Sequence, residues 1–275
     1  MVANPISLAR TMGAIASLSP RLWLDAGRNF ASQVATGRTA DTLQDFSVNK
    51  NHFRQIVPSK RPLIVPSGKN SNAVLRFDGT DDFMQCINNA DAFKFMTTGP
   101  TTSFIVHKPW NLADPNDTRY LLDCISLAGS VGSRSGFYFR MDDRTAQTQN
   151  DNLFVVISNQ NSGGAISIIG TGASNGVSPS NQWSINMIRT DPGHVTPANR
   201  LYLSRNGGSE LQGNTQNVAL GANGPAYPLA LGACGGDGLS PYIGDLGAVV
   251  LFQGLLSPSH ISAVFAELNS TWGIY

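Results

Sequence analysis

A chain of 275 residues can bury about three quarters of its unfolded surface, so one large core forms without disulfides or metals. Only 13% of residues are charged and the net charge is +1, with 14 scattered Arg and five Lys. No basic stripe neutralises phosphates, which excludes a nucleic-acid partner. The longest apolar runs, such as Ala248 to Phe252, fall far short of the roughly 20 residues that span a bilayer as a helix, so no membrane insertion is expected.

From the N-terminus, Asn4-Pro5 offers a helix cap with Pro at the first helical position, and Leu8, Met12 and Ile15 recur on one side of the turns that follow. Residues 1 to 20 therefore form an arm, with 21 to 275 as a single sandwich domain. The arm's apolar side either docks on its own domain or engages a neighbouring subunit. No basic start precedes a long apolar region, so no secretory signal is expected. Cys86, Cys124 and Cys234 are odd in number and lack C-x-x-C spacing, the pattern of buried free thiols in a chain assembled in a reducing cytoplasm.

Two Glu stand against 23 Asn and 28 Gly, a composition of turns rather than helices. The elements from Trp23 onward agree. Ser103 to His107, Phe137 to Met141, Leu153 to Ser158 and Ala165 to Ile169 read as strands, several too continuously apolar to be half-exposed. Trp183, Ile185 and Met187 alternate with Ser184, Asn186 and Ile188, and Leu201 and Leu203 alternate with Tyr202 and Ser204 ahead of the turn dipeptide Asn206-Gly207. Near the C-terminus Ser257-Pro258 opens a helix whose Ile261, Val264, Phe265 and Leu268 share one face. The expected class is all-β: an antiparallel two-sheet β-sandwich with a short N-terminal arm or helix and a short C-terminal helix.

A set of blocks sharpens that expectation: Leu22-Trp23-Leu24-Asp25-Ala26, Leu43-Gln44-Asp45-Phe46, Arg61-Pro62, Phe77-Asp78-Gly79-Thr80-Asp81-Asp82, Gly244-Asp245-Leu246-Gly247, Leu256-Ser257 and Trp272-Gly273. In order and spacing they resemble the concanavalin A-like lectin/glucanase superfamily, in its laminin-G-like branch. Ala248 departs from a Glu common there. The resemblance implies a jelly roll, with a C-terminal segment crossing one end of the sandwich and Trp272 as a plug. It extends to proteins of this fold on bacteriophage particles, as head decoration, fibre or tail components.

Catalysis is not expected. Glycoside hydrolysis needs two carboxylates about 5 to 9 Å apart. Glu210 and Glu267 stand alone, and Asp81-Asp82 and Asp142-Asp143 are adjacent pairs whose members point to opposite faces of a strand. No G-x-S-x-G elbow accompanies the four histidines, and His52 and His107 read as structural. Calcium, common at the loop rims of the resembling folds, has oxygen donors in Asp114 to Asp117 and Asp142-Asp143 but no motif that fixes a site, so no cofactor is assigned.

Binding remains. If Phe137, Phe139 and Met141 face the core, Tyr138 and Arg140 face out together with Asp142 and Asp143 at the strand end, and Trp110-Asn111 can add a stacking ring. These six form the candidate ligand site, with cell-surface glycans as partners. Together with the resemblance, the expectation is a non-enzymatic structural or adhesion protein on a virion surface. Such a protein assembles in the host bacterial cytoplasm and associates with itself or other virion proteins through Leu8, Met12 and Ile15 of the arm. A free lectin-like module is the alternative, and a diverged glycoside hydrolase the third reading.

Overall fold

The computed structural model describes residues 13–32, 35–110, 118–125, 135–142, 153–159, 166–167, 169–170, 178–215, 224–234 and 239–275. In chain order the strands are β1 (Leu22–Asp25), β2 (Thr42–Leu43), β3 (Phe53–Arg54), β4 (Leu63–Lys69), β5 (Asn72–Asp78), β6 (Met84–Cys86), β7 (Thr101–Pro109), β8 (Thr118–Asp123) and β9 (Ser135–Asp142). They continue with β10 (Leu153–Asn159), β11 (Ile166–Ser167), β12 (Ile169–Gly170), β13 (Ser184–Thr190), β14 (Leu201–Arg205), β15 (Leu211–Gln212), β16 (Asn214–Thr215), β17 (Ala230–Leu231) and β18 (Ile243–Gln253). The α-helices are α1 (Ala14–Ser17), α2 (Ala26–Asn29), α3 (Phe95–Thr98) and α4 (Pro258–Trp272).

Two antiparallel sheets face each other as a jelly-roll sandwich. Sheet A runs β15-β14-β13-β7-β18-β5-β4, with β1 also paired to β18; sheet B runs β11-β10-β9-β8-β17-β6-β3-β2. The strand expected over Ala165 to Ile169 is divided: β11 closes sheet B and β12 forms a ribbon with β16. Period-two side-chain geometry sorts residues between two cores. Leu75, Ile105, Val249 and Leu251 from sheet A meet Phe53, Phe137, Phe139 and Val155 from sheet B in the inner one. Their sequence neighbours Val74, Phe104, Val106 and Val250 point to the outer face of sheet A.

That outer face is covered by α4. The Ser257 side chain accepts the His260 N–H and Pro258 opens the first turn, which places Val264, Phe265, Leu268 and Trp272 on one stripe against the sheet. The helix thus lies over sheet A rather than across one end of the sandwich, because sheet A carries apolar residues on both faces while its central strands have no second sheet outside them. Trp272 is fully buried and stacks on Trp183 with ring centroids 6.4 Å apart. It rests on Gly247, where a Cβ would stand 3.1 Å from the indole ring, at the point where the β18 register shifts. Among the described residues, no helix is long and apolar enough to cross a membrane.

The acidic blocks tie the chain ends of these strands. The Asp45 carboxylate accepts the N–H groups of Trp23 (2.8 Å), Ser47 (2.8 Å) and Asn51 (2.7 Å) and the Ser47 hydroxyl (2.7 Å). Four donors saturate it in the interior, where an unsatisfied carboxylate would be costly. After β5, Gly79 takes φ +77° and Asp82 accepts the Asp78 N–H at 3.0 Å, closing the turn into β6. His52 accepts the Asp45 N–H through Nδ1 (3.0 Å), a structural role.

The arm's first described helix docks on its own domain. Ile15 is buried under α4, and its N–H donates to Glu267 at 2.8 Å. Ile15 is therefore taken by an intrachain contact, which corrects its assignment to a partner-facing stripe: a four-residue helix held by a carboxylate on α4 turns its one large apolar side chain inward. Leu8 and Met12 lie outside the described residues.

Candidate binding groove

Of the six residues expected to share a ligand site, Trp110 lies apart from Tyr138 and Arg140. Tyr138 and Arg140 project from the outer face of sheet B, as alternation dictates, but Arg140 is only 8% exposed. Its guanidinium lies 4.7 Å from the Phe154 ring, 5.1 Å from Tyr138 and 5.8 Å from Tyr120, and donates to the Tyr120 hydroxyl at 3.2 Å. Such a cation inside three rings holds strands together and leaves no open platform. Trp110 lies on the opposite side of the sandwich, stacked on Arg76 (4.7 Å), which pairs with Asp245 at 2.7 Å. Period two predicts facing within a strand and is silent on which sheet the strand joins. Asp142 closes β9, and Asn111 and Asp143 lie outside the described residues.

On the same face of sheet B, toward its other edge, a groove of about 630 Å³ opens over β3 and β6, a volume typical of ligand clefts. Phe53, Met84 and Cys86 point inward, so Arg54 and Gln85 point out into the groove, and their Cα atoms are direct partners in the register. Ile56 (70% exposed) and Ile87 (58% exposed) stand over it with Val57, beside Pro228. Three large β-branched side chains left in water around one recess are unusual for a surface without a partner.

The walls are held rigidly while the floor is free to bond. Gln55 donates through Nε2 to the Phe83 carbonyl (2.9 Å) and accepts the Val57 N–H (3.0 Å). Arg61 donates to the Gln55 carbonyl (2.8 Å), and Asn88 donates to Asn51 (2.7 Å). The Ile87 N–H donates to the His52 carbonyl (2.9 Å), fixing the strand end that carries Ile87. Neither Arg54 nor Gln85 has a side-chain hydrogen bond or ion pair among the described residues. Five guanidinium N–H groups and a primary amide are thus presented to an incoming polar molecule, with aliphatic surface beside them.

Among the described residues, no reacting group lines the groove. No Asp, Glu or His is among its lining, and burial pushes the Cys86 thiol up to about 11, which keeps it protonated. Elsewhere, Ser178 Oγ lies 2.6 Å from His107 Nε2, with Tyr242 OH 2.9 Å from Nδ1, but all three side chains are sealed in the interior and burial lowers His107 to about 3. Asn186 Nδ2, a donor, also contacts Nε2 (3.0 Å), so Nε2 accepts and the proton sits on Nδ1, bonded to Tyr242. This is a neutral structural histidine. The two glutamates are committed apart, Glu210 to Arg189 and Glu267 to the Ile15 N–H and Arg28.

Among the described residues, Asp78, Asp81 and Asp82 form the one acidic trio, with oxygens within 4.8 Å of each other. Asp78 and Asp82 already accept N–H bonds of their own turn, and burial, with the Asp78 and Asp81 charges adding to it, raises Asp82 to about 6. Two further recesses are occupied by internal bonding. One of about 510 Å³ lies between α4 and the β14–β15 hairpin, with Glu210 held by Arg189; the other, of about 450 Å³, lies beside α1, where Arg28 pairs with Asp25 and Glu267.

The architecture defines the class: an all-β, antiparallel jelly-roll sandwich backed by one helix. No protein-family model matches the sequence, and no curated protein matches it. Among solved structures, the binding domain of Paraclostridial Mosquitocidal Protein 1 superposes with a TM-score of 0.60 at 17% identity, over 93% of this chain and 55% of that one. The botulinum neurotoxin serotype D binding domain gives 0.58 at 15% identity, over 93% and 53%. The serotype D ligand binding domain in complex with N-acetylneuraminic acid gives 0.52 at 16% identity, over 93% and 53%. The chain spans about half the length of these proteins, and at such identities the likeness is one of fold.

Proposed function

We propose that the protein is a non-enzymatic structural and adhesion module that holds a glycan in the β3–β6 groove and is displayed on a virion surface. One observation carries the binding reading: Arg54 and Gln85, with no side-chain partner among the described residues, lie in the floor of a recess flanked by exposed Ile56 and Ile87. Sugars present hydroxyls and C–H faces together, and this surface offers planar hydrogen-bond donors beside aliphatic surface. The solved structures of similar fold are binding domains by name, one of them holding N-acetylneuraminic acid, which supports the same class of function. The lack of a carboxylate among the described lining residues favours retention over cleavage.

The virion reading rests on the resemblance of the Trp-Leu-Asp-Ala, Phe-Asp-Gly and Trp-Gly blocks, and is supported by three buried free thiols and a low-charge surface. A glycan array probed with the purified chain tests the binding reading. Retention of defined glycans without turnover, reduced about tenfold in Gln85→Ala, is the expected result for one lost hydrogen-bond partner; absence of binding to any glycan contradicts it. Light scattering with and without residues 1 to 20 tests assembly. An oligomer that truncation abolishes supports a particle component, and monomers in both cases favour a free lectin-like module.

A further inference from the structure

Resting on the glycan reading above, we infer that the groove selects acidic sugars and that Arg54 is the residue that sets this specificity. Among the described lining residues the one charged side chain is cationic, and two more cations stand close by. Arg54 lies in the lining, Lys60 holds its ammonium 5.9 Å from the ring of Phe83, itself a lining residue, and Arg61 braces the Gln55 and Ile56 carbonyls from behind. Among the described residues, no carboxylate lines the groove and none comes within ion-pair distance of Arg54. Asp41, beside the strand that pairs with β3, contributes its backbone carbonyl to Gln55 and no ion pair to Arg54.

Four other arginines give the contrast. Arg28, Arg76 and Arg189 each pair with a carboxylate, and Arg140 sits within aromatic rings. Arg54 alone of these five is left facing an open recess, a fork whose geometry matches a carboxylate in two parallel N–H···O bonds. Gln85, its direct cross-strand neighbour, supplies an amide donor for a second oxygen, and Ile56 and Ile87 supply surface for the C–H edge of the ring. β3 and β6 are both internal to sheet B, so their backbone bonds are spent and an acidic peptide cannot add as a strand there. An acidic sugar, recognised through side chains alone, fits the groove better.

The test is a panel of oligosaccharides bearing sugar carboxylates, each printed beside its own methyl ester and probed with wild type, Arg54→Gln and Arg54→Lys. Arg54 is exposed, so the variants are expected to fold, and thermal unfolding verifies this. The acid is expected to bind wild type at least ~10-fold more tightly than its ester, a charge-assisted pair against a neutral one. Arg54→Gln is expected to equalise the two, and Arg54→Lys, which keeps charge but loses the fork, to restore part of the preference. Equal binding of acid and ester by wild type, or an acid preference intact in Arg54→Gln, overturns the inference and leaves the glycan reading standing. Binding of neither form, with neutral glycans also failing, overturns the glycan reading beneath it. Competition by an acidic peptide as strong as by the acid sugar overturns the sugar class.

Discussion

The two outer faces of the sandwich are built from the same alternation and end in opposite states. On sheet A, Phe104, Val106, Ile185 and Val250 point outward and are roofed by Val264, Phe265, Leu268 and Trp272 of α4. On sheet B, Arg54 and Gln85 point outward and are left open between Ile56 and Ile87. A face is closed where its own strands supply apolar residues that a helix can bury. It stays available where the strands supply polar ends and only the rim is apolar. Sheet B itself repeats the contrast, since Arg140 at its other end is enclosed by Tyr120, Tyr138 and Phe154 while Arg54 is not.

Breaking the closed face has the largest expected effect. Trp272→Ala removes a fully buried ring stacked on Trp183 and leaves a hole over Gly247, a loss of about 3–5 kcal/mol by chemical denaturation. Acid acts next, through the network between the sheets. His107 is held below its unfolded value, at about 3, so folding requires the neutral ring. Stability is then fully present above about pH 6.5 and falls by roughly 1.4 kcal/mol per pH unit as pH drops toward 3. Denaturation midpoints of wild type and His107→Gln across that window measure it, the variant being expected to show the shallower slope.

Within sheet B, Arg140→Ala is expected to cost about 2 kcal/mol, because it empties a cation site inside three rings, whereas Arg54→Ala stays within about 0.5 kcal/mol of wild type. Similar losses for the two would erase the distinction between an enclosed and an open arginine.

Much of the fold was legible in the residues, and the site much less so. Ser257-Pro258 and the spacing of Ile261, Val264, Phe265 and Leu268 announce α4, because capping and a 3.6-residue stripe are local properties. Alternation places Phe137 inward and Tyr138 outward for the same reason. It cannot say that Trp110 and Tyr138 belong to different sheets, or that Arg140 is enclosed, since both depend on which strands become neighbours. The groove was missed because its parts are short: β3 and β6 have two and three residues, too few for a period to register. The available signal was the pair Ile56-Val57 ahead of Pro58, apolar residues at a turn with no strand or helix of their own to face a core.

The most direct measurement is methyl NMR of isotope-labelled protein titrated with the tightest-binding oligosaccharide from the array. Shifts confined to the methyl groups of Ile56, Ile87 and Val57, with Ile261 beside the α4 recess and Ile105 in the core unmoved, are the expected result. Movement of Ile261 while Ile56 and Ile87 stay still would place binding on the other side of the molecule and contradict the assignment of the groove.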